Sequence, residues 1–458
     1  MNPKCSLNSY LRSFLNVLLK KERRLNRKDT ALNFKLSKEG KIMEKQLNWK
    51  YSAIHFTSAA LMAVTIAYAS VFLLEKGFLN STIGAVLAVS SLLSIGIQTI
   101  LADYIDKHKE ITLQHVLIVI SLIITLSSAI LYFIPSGFLI ILLVTIVYSL
   151  VRSAAPFINS LAFIYEEQNI RVKYGVARGF ASIAYAITTM LLGQVLDVIS
   201  PSLLPVFYVV FAILGLVAVW SYRLPATFEE VDLNIVNQFE ETLGGAIIEE
   251  FEEAKVENHL TFVAFLLKYR RLTLLIVGVI FLLFSQTLVS YFFIQVITPI
   301  GGDNASMGIA IFIAAGIEFP VIMRFDWLAE KRPIEFWLKI SVLFFIIKNI
   351  VTFLASNMIM IYFAQFLQFG AFALTFPALV NYINVIVEPK DLVKGQTLLT
   401  LGMSISSVFA SLVGGVLIDN IGVSQTLFLG VVTTFIGGLF IFVFAEETAS
   451  KMIKVAKV

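Results

Sequence analysis

The sequence predicts an all-α membrane protein with twelve transmembrane helices in two pseudo-symmetric six-helix bundles. Three observations predict it. The chain is 58% hydrophobic and only 14% charged, against roughly 25% charged for a soluble domain. Apolar stretches of about twenty residues, the length that crosses a hydrocarbon core at about 1.5 Å per residue, recur between short polar breaks. Two short motifs of the first half also return in the second at nearly the same offset.

The first span covers 51–74 and follows Asn48-Trp49-Lys50, a polar and aromatic lead-in suited to a membrane interface. Spans at 80–101, 112–133, 137–164, 174–198 and 202–222 complete the first bundle. The second bundle repeats the pattern at 272–297, 305–323, 335–355, 358–386, 395–418 and 423–445. Breaks after the even spans, with the C-terminal tail, hold Lys107, Lys109, Arg171, Lys173, Arg270, Arg271, Lys331, Arg332, Lys390 and Lys451, while the breaks on the other side hold Lys76 alone. The positive-inside rule then places both termini in the cytoplasm, in a multi-pass protein of the cell membrane. The net charge of +4 is a topology signal rather than a nucleic-acid footprint, because no soluble basic domain carries it.

Residues 1–42 stand apart. They crowd Lys20, Lys21, Arg23, Arg24, Arg27 and Lys28 into a polar stretch, read either as a cytoplasmic basic arm on anionic lipid or as an extension upstream of a true start at Met43. The second reading is preferred, since the lead-in to the first span is complete after Met43. The remaining divisions are a bundle over 43–224, an acidic linker over 225–271, a bundle over 272–447 and a tail over 448–458. Within the linker, residues 225–258 carry ten acids and one Lys, which keeps a loop soluble and away from anionic lipid.

Composition also limits the chemistry. The single cysteine, Cys5, excludes an internal disulfide framework, and the four histidines show no metal-ligand spacing. No nucleophile, base or ligand cluster shares one depth, so neither an enzyme nor a bound cofactor is expected.

The internal repeat reads as follows. GQVLDVI (Gly193 to Ile199) returns as GVLIDNI (Gly415 to Ile421), 222 residues on. Ala102-x3-Asp106-Lys107 returns as Asp326-x3-Glu330-Lys331, 224 residues on. Each match sits at the same place in its half, as duplicated bundles of transporters do.

YGVARGFASIAYA (Tyr174 to Ala186) opens the fifth span, Ile97-Gln98 to Lys107 follows the second, Glu318-x-Pro320 lies in the eighth, and QFLQFG, NYI and KGQTLL run from Gln365 onward. These stretches resemble the major facilitator superfamily, and within it the lactose permease group of oligosaccharide–proton symporters with its nucleoside and phenylpropionate transporter relatives. The resemblance covers about 43–458. It implies alternating access around one mid-membrane site, with protons and a small solute as partners and a monomer in the bilayer. It places Arg178, Ser182 and Tyr185 on sugar-contact positions of the fifth span, Glu318 on the acid that links sugar to proton, and Lys348 on a basic position of the ninth. The family's helix-10 His and Glu fall on Gln368 and Ala371, its ion pair on Ser285 and Gln365, and its fourth-span acid near Asn159. Asp106 and Lys107, with Glu330 and Lys331, take the place of its gating loops.

Glu318 is the residue that demands a reason. It lies about fourteen residues into the eighth span, where a lipid-facing charge costs about 2.5–3.5 kcal/mol or more, so it is expected to face a cavity or a partner. Arg152, Arg178 and Lys348 share its depth, and one acid cannot satisfy three bases. The guanidinium of Arg178 can grip vicinal hydroxyls or a carboxylate, and Tyr185, two turns on, offers a ring on the same face. Gln365 and Gln368 fit cavity lining or interhelical hydrogen bonds equally, and His55 reads as interfacial. The expected function is proton-coupled import of a sugar, oligosaccharide or nucleoside. Transport of an aromatic or other organic acid, or uncoupled facilitation, remains the alternative.

Overall fold

A continuous helical stretch runs over Leu392–Phe444 for 53 residues, far longer than one crossing of a hydrocarbon core of roughly 30 Å requires. It is two spans, because Gly422 breaks it with φ 83° and ψ 171°, a backbone shape that a residue with a Cβ adopts only at a cost. With this break the structure, a computed structural model describing residues 38–108, 110–165, 172–223 and 262–446, has twelve spans.

They are α1 (Lys38–Met62, continued through a π-turn and Ala69–Glu75), α2 (Asn80–Lys107), α3 (Leu113–Phe133), α4 (Phe138–Ser160), α5 (Tyr174–Leu196) and α6 (Leu204–Ser221). Then come α7 (Arg270–Tyr291), α8 (Asn304–Met323), α9 (Ile334–Phe353), α10 (Met358–Phe366 and Phe372–Ile386), α11 (residues 392–421) and α12 (residues 423–444). Among the described residues there is no strand. With an even number of spans, the start of α1 and the end of α12 lie on one face, the terminal face. The first repeat motif ends α5 and its copy ends α11, both on the opposite face.

α1 widens to a π-turn at Ala63–Ala67, where Thr65 donates its hydroxyl back to the Leu61 carbonyl at 2.6 Å, and then bends by 44° at Tyr68. The bend turns the fully buried Tyr68 toward α5, and its hydroxyl donates to the Thr189 carbonyl at 2.7 Å. α10 breaks over Leu367–Phe369 and resumes after Ala371, with the ring of Phe344 on α9 packed over Gly370 so closely that a Cβ there would collide.

The halves meet along two seams, α2 with α11 and α5 with α8. Contact is concentrated at the opposite face. The larger apolar core fills the first half and enters the second through Leu288, Phe292, Val296, Met307, Ala410 and Ile418, all toward that face, while a separate core belongs to the second half alone. Every side-chain hydrogen bond between the halves among the described residues lies at the opposite face or near mid-depth. The protein is therefore closed at the opposite face, and toward the terminal face the halves are less tightly joined, with the Phe319 ring of α8 still against Gly179 of α5.

The second bundle begins earlier than the 272 boundary read from the sequence. A short helix at Phe262–Lys268 buries Phe265 in the second-half core, where an aromatic ring gains by leaving water. Lys268 Nζ lies 2.9 Å from both Glu388 and Asp391 and fastens the helix to the α10–α11 turn. Hydrogen bonds to Asp391 and Glu388 raise the Lys268 ammonium above its usual value, and the same Lys268 contact lowers Glu388. A lowered acid contributes above its ordinary value of 4.5 and is lost as pH falls through the folded value; a raised base contributes below 10.5 and is lost as pH rises through its own. A fluorophore on the exposed position 263, attached through Val263→Cys in a Cys5→Ser background, should thus report a docked helix across the neutral range and release outside both limits. A transition between about pH 6 and 9 would show that these contacts do not hold it. The basic N-terminal stretch (residues 1–37) and most of the acidic linker (residues 224–261) lie outside the described residues.

Candidate functional site

Glu318 sits on α8 just before Pro320, half-buried, and its Oε1 accepts a hydrogen bond from Gln368 Nε2 at 2.7 Å. Gln368 lies in the 3-10 turn of α10 just before its backbone leaves the helix at Ala371. Lys348, 2% exposed on α9, donates to Gln286 Oε1 on α7 at 2.8 Å and to Gln368 Oε1. One amide thus stands between the carboxylate and the ammonium. Its orientation is dictated by chemistry: an ammonium only donates and a carboxylate only accepts, so the oxygen must face Lys348 and the nitrogen Glu318.

Neither Glu318, Lys348, Arg152 nor Arg178 makes an ion pair within 4.0 Å of a described residue. Glu318 and Lys348 are instead bridged by an amide. Buried ions need compensation, and charge-assisted hydrogen bonds to polar amides supply it without a contact pair.

Arg178 on α5 is exposed and lies within electrostatic reach of Tyr51 and His55 on α1 and of Glu318 on α8. Arg152 on α4 donates to the Tyr291 hydroxyl at 2.9 Å, and that hydroxyl pairs with Ser407 on α11 at 2.7 Å. The chain Arg152–Tyr291–Ser407 ties both halves together above the site. Tyr185 lies within electrostatic reach of Glu318, Tyr291 and Arg152, on the site side of α5.

Other sequence expectations fare differently. His55 is 4% exposed, its ring 4.7 Å from Tyr51 and 6.0 Å from Tyr174, the first residue of α5, so it packs inside the first bundle at the level where α5 begins. Gln365 is buried but makes no hydrogen bond to Glu318, Lys348 or Gln368. Asn159 is represented near Tyr51 through its backbone carbonyl, which accepts from the Tyr51 hydroxyl at 3.3 Å. Ser182 donates to the Arg178 carbonyl at 3.4 Å and lies one turn along the same stripe. The loop charges do not clasp the other half. Lys107 pairs with Asp103 at 2.7 Å rather than with a helix end, Lys331 covers the Trp327 ring at 3.4 Å, and Asp106 and Glu330 lie with them at the terminal face, where the halves are less tightly joined. Gln286 escaped notice in the sequence, although a lone amide in an otherwise apolar span was the available signal.

The family model of the MFS_1 like family matches residues 48–429. The chain belongs to that family. No curated protein matches it. Among solved structures it is similar to a variant of the nucleoside transporter NupG, at TM-score 0.68 and 14% identity, covering 87% of this chain and 98% of that one. A bacterial homologue of the human lysosomal transporter Spinster, in an inward-facing and unoccupied conformation, superposes at TM-score 0.62 and 14% identity, with 89% and 98% covered. A D-xylose-proton symporter does so at TM-score 0.60 and 14% identity, with the same coverage. At such identities the likeness carries the fold, so this MFS protein is a secondary transporter by family and architecture, and its solute has to be argued from its own residues.

Proposed function

We propose that the protein is a proton-coupled importer of a small polar solute, a sugar, oligosaccharide or nucleoside, working by alternating access with both termini in the cytoplasm. The observation that carries this reading is the Glu318–Gln368–Lys348 chain within electrostatic reach of Arg178. A carboxylate held by an amide rather than by a contact cation can take up a proton without breaking an ion pair, and solute and proton then stabilise each other through shared neighbours. The NupG and xylose symporter likenesses agree with this solute class, as does a tyrosine, Tyr185, within reach of the acid.

A second reading has its own support. Three cations, Arg152, Arg178 and Lys348, surround one acid, Glu318, and none is ion-paired to a described residue, an excess of positive charge that suits an organic anion. Uptake into proteoliposomes of a panel of sugars, nucleosides and aromatic acids, with and without an imposed pH gradient, separates the two. Accumulation of none of them would remove both readings.

Arg178→Lys should lower affinity for the transported solute by about tenfold or more while leaving expression intact, because Lys keeps the charge but loses the planar fork. Binding of the solute at wild-type affinity would take Arg178 out of the site.

A further inference from the structure

The repeated motif has a structural counterpart that the proposed site does not use. Asp197, just past the end of α5, accepts from the backbone N–H of Asn304 at 3.1 Å through Oδ1 and of Ala305 at 3.2 Å through Oδ2. Asp419, near the end of α11, accepts from the N–H of Asn80 at 3.2 Å through Oδ1 and of Ser81 at 2.7 Å through Oδ2, and also from the Asn80 side chain at 2.8 Å. Each carboxylate therefore caps the first turn of a long helix belonging to the other half, α8 in one case and α2 in the other. The two helix starts, Asn80-Ser81 and Asn304-Ala305, are themselves 224 residues apart.

The glycine one turn before each acid explains how the carboxylate gets so close. A Cβ on Gly193 would collide with the Asn304 carbonyl, and one on Gly415 with the Asn80 carbonyl. Glycine and aspartate four apart share a helix face, so the pair acts as a unit: bare backbone for the approach and a carboxylate for the cap. The first-turn N–H groups of a helix have no partner within it and its N-terminus carries partial positive charge, which makes an acid from another element a strong and directional partner. α2 depends on this more than α8. α8 also has its own Asp303, which accepts from Ser306 at 2.7 Å, whereas α2 opens on Leu79 with no side-chain cap.

We propose that Asp197 and Asp419 are paired positioning residues of the transport cycle, a two-point latch that holds the opposite face shut and must release both helix starts before that face can open. The latch bears on alternating access in the transporter reading, but its test needs no solute. The contacts are made only when α5 meets α8 and α11 meets α2 at this face, so they weight the closed state alone. A residue of purely local structural value would stabilise both states equally and leave their ratio unchanged.

The test is a distance distribution between spin labels at Ser136→Cys and Ser356→Cys, exposed loop positions of the two halves on the same face, in full-length Cys5→Ser protein in nanodiscs. The unmodified latch should give a dominant short distance. Asp197→Asn and Asp419→Asn keep size and one acceptor but lose the charge and one of the two bonds, so each should raise the long-distance population about fivefold, and the double variant about 25-fold if the sites are independent. The Asp419 variant should move it more, since α2 lacks a second cap. Each single variant stands as a check on the other should one fold poorly, and monodispersity is confirmed before measurement. Distributions that match the parent in both well-folded variants would overturn the latch. A shift in distance without uptake of any solute in the panel would leave the latch standing and remove the proposed function.

Discussion

Glu318→Gln is expected to abolish uphill, pH-driven uptake while exchange of solute across the membrane continues. The substituted amide has nearly the shape of a protonated carboxylic acid and still offers Oε1 to Gln368 Nε2, which now reaches Glu318 at 2.7 Å. Because Lys348 is held by Gln286 and Gln368 rather than by the acid itself, no ammonium loses a contact partner, and folded yield should stay near that of the parent protein. The expected loss of accumulation is about a hundredfold or more, since a group that cannot change protonation state cannot link the two fluxes. Ala371 offers no second acid in the matching part of α10. Accumulation against the solute gradient in this variant would make Glu318 structural and leave coupling elsewhere or absent.

Lys348→Met is expected to give the largest loss of stability of any single change at the site. It leaves the Gln286 and Gln368 carbonyl oxygens facing an apolar side chain, at about 1–3 kcal/mol for each stranded acceptor. Relief from burying an ammonium offsets part of this, and a net loss of about 2 kcal/mol remains. Thermal unfolding in detergent should show it as a lowered Tm, with uptake reduced further because Gln368 is no longer fixed between α8 and α9. An unchanged Tm would mean that the two amides turn and pair with each other.

The spans were legible because a crossing helix must be apolar over its whole length, and no packing detail can override that demand. The second of the two sequence repeats was legible as duplication, and in this conformation its Lys107 and Lys331 turn to Asp103 and Trp327. Gly193, Asp197, Gly415 and Asp419 were read only as evidence of duplication, because a cap on another half's helix depends on contacts between residues more than a hundred positions apart. At the site, Glu318, Arg178 and Lys348 announced themselves as charges in apolar runs. The amide between them, Gln368, was legible only as either cavity lining or an interhelical hydrogen bond, and it makes the second.

The apolar core that joins the halves at the opposite face has a thermal consequence. Opening that face must hydrate the side chains of Leu288, Phe292, Val296, Met307, Ala410 and Ile418, whereas parting the terminal face hydrates no comparable shared core. Hydrating apolar surface raises heat capacity by about 0.45 cal/K/mol for each Å². The balance between the two access states is then a curved function of temperature. Its enthalpy changes with temperature even at fixed sequence and pH, so a turnover rate limited by that opening will not follow a straight Arrhenius line.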